Sequence, residues 1–84
     1  MNPKLKKLQY ALCESDFYDL CKKHKVKPIN VLRKNYMKDE LTELRQQIAW
    51  ELYKQNHTFQ VIGDVMDRSK FVARELVLKF ENIC

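Results

Sequence analysis

Apolar positions recur every three or four residues along nearly the whole chain, the spacing of helices with one buried face. Leu5, Leu8 and Leu12 start the pattern behind Pro3, which suits a first helical turn. Ser15 and Asp16 then offer an N-cap, so residues 4–13 and 16–25 read as two helices or as one with a kink. Phe17, Leu20 and Cys21 give the second stretch its apolar face. Val26, Ile29, Val31 and Leu32 gather around Pro28, which opens a short helical turn. Residues 33–38 form a basic connector, and a longer helix is expected from about Asp39 to Asn56 and His57. On it Leu41, Leu44, Ile48 and Leu52 make one stripe, with Ala49 and Tyr53 beside it.

The last third is the most explicit. Thr58 is an N-cap residue for a short helix, Phe59 to Met66, and Asp67-Arg68-Ser69 reads as a turn. Ser69 caps a final helix from Lys70 to about Asn82, on which Val72, Leu76, Phe80 and Ile83 share a face. A short helix, a tight turn and a second helix over residues 58–82 make a helix-turn-helix pattern. The expected common core is Leu41, Leu44, Ile48, Leu52, Ile62, Val72, Leu76 and Phe80. The fold expected is all-α, a small helical bundle in one domain over residues 1–84, with residues 1–15 as a basic N-terminal extension or helix.

Composition sharpens this picture. The 84 residues contain one glycine and two prolines, too few for a fold rich in hairpins and tight turns. The lone glycine, Gly63, falls inside the short helix, where it costs about 1 kcal/mol relative to alanine. That cost is understandable if the second helix crosses close by and leaves no room for a side chain. The net charge of +5, from 16 Lys and Arg against 11 Asp and Glu, points to a polyanionic partner.

Three cysteines, an odd number, and no apolar leader read as reduced thiols in a cytoplasmic protein, and no run is apolar enough for a membrane span. Cys21 and His24 have a ligand-like spacing that Cys13 and His57 would complete. On one helix, however, Cys13 and Cys21 would stand about 12 Å apart, too far to share a zinc ion bound at ~2.0–2.3 Å. No metal or cofactor is expected. No acid/base pair, nucleophile elbow or glycine-rich phosphate loop is present, so the chain reads as a binding protein and not an enzyme.

On the last helix, the side away from Val72, Leu76 and Phe80 carries Lys70, Arg74, Val77, Leu78 and Glu81, with Phe71 at its edge. A recognition helix places its N-terminal half in the major groove. There Lys70 and Arg74 would reach guanine edges or phosphates, Ser69 a phosphate, and Phe71 a thymine methyl. A second reading uses the same fold as a protein-interaction module or homodimer. Its surface would be Phe71, Val77, Leu78 and Trp50, taken as outward apolar residues, which read equally as a dimer seam or as core shared with residues 1–14.

Residues 17–83 also resemble a known family. The likeness runs through Phe17-Tyr18-Asp19-Leu20, then Val26-Lys27-Pro28-Ile29-Asn30-Val31-Leu32-Arg33-Lys34, and reaches Glu40-Leu41. It is strongest in Gln47-Ile48-Ala49-Trp50-Glu51-Leu52, similar to an R-Q-I-A-x-x-L run in which Gln46 stands at the arginine. It continues in Asn56-His57-Thr58 and Ile62-Gly63-Asp64. These segments, in this order, resemble the C-terminal DNA-binding domain of the bacterial replication initiator DnaA. The resemblance implies a Trp-repressor-like helical fold and double-stranded DNA as partner. It also implies a basic loop before the long helix that holds DNA, here carrying Arg33, Lys34 and Lys38. Met37 and Asp39 stand where that loop is usually basic.

The family's box-reading signature, G-G-R-D-H-T-T-V, is replaced by Met66-Asp67-Arg68-Ser69-Lys70-Phe71. Its aspartate is matched by Asp67, and Arg68, Ser69 and Lys70 replace the His-Thr-Thr. With the outward face of the last helix, the resemblance gives Arg33, Lys34, Lys38, Thr58, Arg68, Ser69, Lys70, Phe71 and Arg74 as the expected DNA-facing set, without the family's own base preference. With no ATPase module in the chain, it implies a stand-alone regulator of transcription or replication, of the kind carried by a phage or mobile element.

Overall fold

A computed structural model describes residues 3–33 and 41–83, and among these every regular element is α-helical. The order is α1 (Pro3–Lys23), α2 (Pro28–Leu32), α3 (Thr42–Lys54), α4 (Phe59–Val65) and α5 (Lys70–Ile83). None of these helices is long and apolar enough to cross a membrane.

α1 is a single helix of 21 residues, not two. Ser15 and Asp16 lie inside it, and the Asp16 carboxylate serves a tertiary partner instead of a helix start. Its Oδ2 lies 2.6 Å from Nε2 of His57, at the corner between α3 and α4. The C-terminal end of α1 is fastened to α3. Glu51 receives Lys23 Nζ at 3.1 Å on one carboxylate oxygen and meets His24 Nε2 at 2.9 Å on the other. Burial alone would raise the Glu51 carboxyl, but the hydrogen bonds and charges of His24 and Lys23 outweigh it and hold the group below the ordinary carboxylate range.

A depressed folded-state value contributes stability at pH above the unfolded value of about 4.3, and that contribution is lost as pH falls through the folded value. Glu51→Gln is therefore expected to lower the melting temperature at pH 7 and to match the parent protein near pH 2. An unchanged gap at low pH would show that the carboxylate charge is not what fastens α1.

Three helices end in the same way without glycine. Lys25, Asn56 and Asp67 follow α1, α3 and α4 with φ of 55°, 72° and 57°, in the left-handed region. Each end closes with two backbone bonds of the Schellman type, one spanning six residues and one spanning four. After α1 these are Val26 N to Cys21 O at 2.9 Å and Lys25 N to Lys22 O at 3.1 Å. After α3 they are His57 N to Leu52 O and Asn56 N to Tyr53 O. After α4 they are Arg68 N to Gly63 O and Asp67 N to Asp64 O. The repeated motif makes the connections short and turns the chain sharply at each end.

The core unites Cys13, Phe17, Leu20 and Cys21 of α1 with Val31 of α2 and Ile48, Ala49 and Leu52 of α3. Val61, Ile62, Val65 and Met66 of the α4 segment and Ala73 and Val77 of α5 complete it. Ile48, Leu52 and Ile62 are buried as the periodicity predicts. Four others of the expected set, Leu41, Leu44, Leu76 and Phe80, are only half-buried, and Val72 is exposed.

The error on α5 is one of register. Apolar residues surround this helix, so two stripes compete. The one that faces inward is Ala73–Val77, whose small side chains let α5 lie close on α3 and α4. Val77, expected on the outward partner surface, is 1% exposed and belongs to the core. Burial pushes the Cys13 thiol up to about 12, with the Asp16 charge adding to it, and the Cys21 thiol up to about 11. Both thiols thus behave as apolar core groups with little thiolate character at neutral pH.

Candidate nucleic-acid interface

α4, the turn after it and α5 form a tightly packed unit. Thr58 caps α4, its Oγ1 accepting from Val61 N at 3.3 Å, and Ser69 caps α5, its Oγ accepting from Val72 N at 3.2 Å. Both caps stand where the sequence pattern puts them, and both hydroxyls keep a proton to donate. Gly63 is buried where α4 meets the turn. A Cβ built on it would lie 2.7 Å from the Arg68 carbonyl oxygen and 2.9 Å from that of Ser69. The glycine is therefore the condition for the turn to fold back so closely on α4.

The turn is also tied to the end of α2. The Arg68 guanidinium donates to the Met66 carbonyl at 2.6 Å and to the Arg33 carbonyl at 3.1 Å. The chain leaving α2 thereby lies beside the start of α5. Arg33, Ser69, Lys70, Phe71 and Arg74 are all exposed there, while Arg68 is half-buried and acts as the tie. Lys70 Nζ lies 5.3 Å from the centre of the Phe71 ring. Thr58 is at the far end of α4, about 10 Å away along a seven-residue helix. Lys34 and Lys38, expected to hold phosphates, lie outside the described residues, as do Met37 and Asp39.

A buried arginine, Arg45, escaped the sequence reading. Its Nε donates to Val31 O at 2.9 Å and its Nη2 to Asn30 O at 2.8 Å. It holds two carbonyls in the last turn of α2, and so fixes α2 and the exit toward Arg33 against α3. The signal was its place: position 45 falls within the stripe of Leu41, Leu44 and Ile48, where a charged side chain needs buried acceptors.

On α5 the outermost line runs Phe71, Glu75, Leu78, with Lys70 and Arg74 to one side of it. Phe71 is 72% exposed and Leu78 is also exposed. Glu75 reaches Lys79 at 4.0 Å, a weak surface pair. Trp50 is half-buried on α3, its ring centre 5.1 Å from that of Phe80, so it supports α5 from behind and is not part of the same patch. Among the described residues no group of three or more His, Cys, Asp or Glu is placed to hold a metal ion. Comparison with protein families, curated proteins and solved structures finds no match to this chain.

Proposed function

We propose that this chain binds double-stranded DNA through α4, the turn and α5 acting as a helix-turn-helix, and that it regulates transcription or replication. The observation that carries the reading is the close packing at Gly63. It leaves the first two turns of α5 exposed with Lys70 and Arg74, beside the chain end at Arg33. The N-terminal half of α5 enters the major groove in this arrangement. Arg33 and Lys70, with Lys34 and Lys38 in the connector, neutralise phosphates. Ser69 and Thr58 donate their hydroxyl protons to phosphate oxygens. Arg68 positions the Arg33 segment, and Arg74 reaches toward a base edge with Phe71 against a thymine methyl. The net charge of +5 supports the reading, as does the resemblance to the DnaA C-terminal domain. A cytoplasmic site of action follows from it.

The test is a titration with mixed-sequence duplex at several salt concentrations. The log of affinity is expected to fall linearly with log salt, by about 0.9 per phosphate neutralised. Arg33→Ala is expected to flatten the slope by about one and weaken all sequences alike. Arg74→Ala should cost ~1–3 kcal/mol on a preferred site and little on random duplex.

One observation favours a second reading, a protein-interaction module on the same fold: the outermost line of α5 is apolar at Phe71 and Leu78 and acidic at Glu75. No duplex binding at low salt, together with a protein complex lost in Phe71→Ala or Leu78→Ala, would decide for it.

A further inference from the structure

The positive charge of the chain is concentrated in one stretch. From Leu20 to Lys38 there is no Asp or Glu, and seven residues are Lys or Arg. The rest of the chain holds nine basic residues against eleven acidic ones, so this stretch carries the whole of the net charge of +5. Its second half is the basic connector that begins at Arg33. Its first half, Lys22, Lys23, Lys25 and Lys27 at the corner between α1 and α2, lies outside the helix-turn-helix.

These four lysines are not alike. Lys23 is engaged with Glu51. Lys22, Lys25 and Lys27 are exposed, and none of them enters an ion pair among the described residues. Of the acids on the adjoining helices, Glu51 is held by Lys23 and His24, and Asp19 stands one turn back along α1.

Local physics accounts for only two of the four. The α1 dipole favours cations in its last turn, which holds Lys22 and Lys23. It leaves the backbone of Lys25 unexplained. The left-handed residues among those described are Lys25, Asn56 and Asp67. Asn and Asp tolerate that conformation, whereas a lysine holds it at a cost that glycine or asparagine would avoid. Lys27 is as poorly suited to its place. It is the N-cap of α2, with extended backbone and no side-chain cap bond. Ser, Thr, Asp or Asn would cap there, and the start of a helix disfavours a cation. Both lysines stand where the fold alone would choose another residue, and both add charge to the same corner.

We propose that Lys22, Lys25 and Lys27 form a second contact with the phosphate backbone of duplex DNA, alongside that of Arg33. This rests on the duplex-binding reading above and extends the interface past the helix-turn-helix to the α1–α2 corner. Lys27 and Arg33 cap the two ends of α2, about 9 Å apart at 1.5 Å per residue. Phosphates on one strand follow at ~3.4 Å along the duplex axis, so the two residues span roughly three of them. Arg45 fixes α2 to α3, so the two contacts keep a constant spacing. A backbone contact carries no base information, so it strengthens binding to every sequence alike.

The test compares duplex titrations at several salt concentrations, and thermal melts, for the parent protein, Lys25→Asn/Lys27→Ser and Lys6→Ser/Lys7→Ser. The last pair removes the same charge from the opposite end of α1, about 25 Å away along the helix. That is beyond the ~8 Å over which salt lets a surface charge act. Lys25→Asn/Lys27→Ser is expected to melt at or above the parent, to weaken all duplexes alike, and to flatten the slope of log affinity against log salt by ~0.9 per lysine. Lys6→Ser/Lys7→Ser is expected to keep the parent's slope. If Lys25→Asn/Lys27→Ser keeps that slope while Arg33→Ala flattens it, the corner makes no contact, and the duplex reading stands without it. Equal flattening by the two pairs, or a lower melting temperature in Lys25→Asn/Lys27→Ser, would also overturn the proposal. A parent protein that binds no duplex at low salt overturns the duplex reading and this proposal together.

Discussion

Phe17→Ala is expected to leave the domain largely unfolded at 37 °C. Phe17 is 1% exposed and is among the largest fully buried side chains. It stands on α1 between Cys13 and Cys21, at the centre of the face that packs on α3 and α4. Truncating a buried Phe to Ala costs ~3–5 kcal/mol, the lost transfer energy plus the cavity left behind. A core from a chain this short supplies about the same total. The loss therefore consumes most of the stability instead of trimming it. Phe17→Leu keeps most of the volume and should cost about 1.5 kcal/mol or less. Leu8→Ala, on the exposed stripe of the same helix, should be nearly silent, within ~0.5 kcal/mol. Denaturant melts of the three variants separate the two faces of α1. If Phe17→Ala melts like Leu8→Ala, α1 is an appendage resting on the bundle and not part of its core.

That contrast also marks what the sequence pattern resolves. The bounds of the last two helices are legible almost to the residue because local chemistry defines them. Thr58 and Ser69 cap the helices that follow, and Gly63 announces a close approach. The continuity of α1 is not legible in the same way. Ser15 and Asp16 are good caps locally, but their competition with helix continuation is settled by a residue 41 positions away, His57, which engages Asp16. The register of α5 is ambiguous for another reason. Phe71, Val72, Ala73, Leu76, Val77, Leu78 and Phe80 supply apolar groups on nearly every side, so periodicity alone does not choose between the Val72–Leu76 and Ala73–Val77 stripes. The choice is made by how closely α3 and α4 approach, a tertiary fact.

The basic cluster was legible as composition, but the division of labour within it was not. Arg33, Lys70 and Arg74 are exposed, while Arg68 spans two backbone carbonyls. Hydrogen bonds to backbone acceptors leave no mark in the sequence of the acceptor. For Arg45, which holds Asn30 and Val31 by their carbonyls, the only mark is its own place within the stripe of Leu41, Leu44 and Ile48.

Gly63→Ala is expected to lower stability, although alanine is the better helix former. Within α4 the exchange favours the variant by about 1 kcal/mol. Against this, the new Cβ would sit 2.7 Å and 2.9 Å from two carbonyl oxygens and 3.0 Å from the Ser69 carbonyl carbon. All three are backbone atoms, so no side chain can swing aside. The turn is also held from several directions. Arg68 N donates to the Gly63 carbonyl at 2.7 Å, and the Ser69 carbonyl accepts from Ala73 N at 3.0 Å in the first turn of α5. The Arg68 guanidinium ties the same turn to Met66 and Arg33. Relief of the clash must stretch some of these bonds or tilt α5 away from α4. Overpacking of this kind costs ~1–3 kcal/mol or more. The net loss is expected at about 1–2 kcal/mol, which lowers the melting temperature by roughly 5–15 °C in a domain of this size. Gly63→Val adds two further methyl groups at the same point and should lose more. Because α5 is tilted by the same relief, duplex affinity measured well below the melting temperature should fall in Gly63→Ala as well, which a purely local stability change would not produce. A rise in melting temperature for Gly63→Ala would show instead that the turn yields freely, and that the close passage of Arg68 and Ser69 over α4 is not what positions α5.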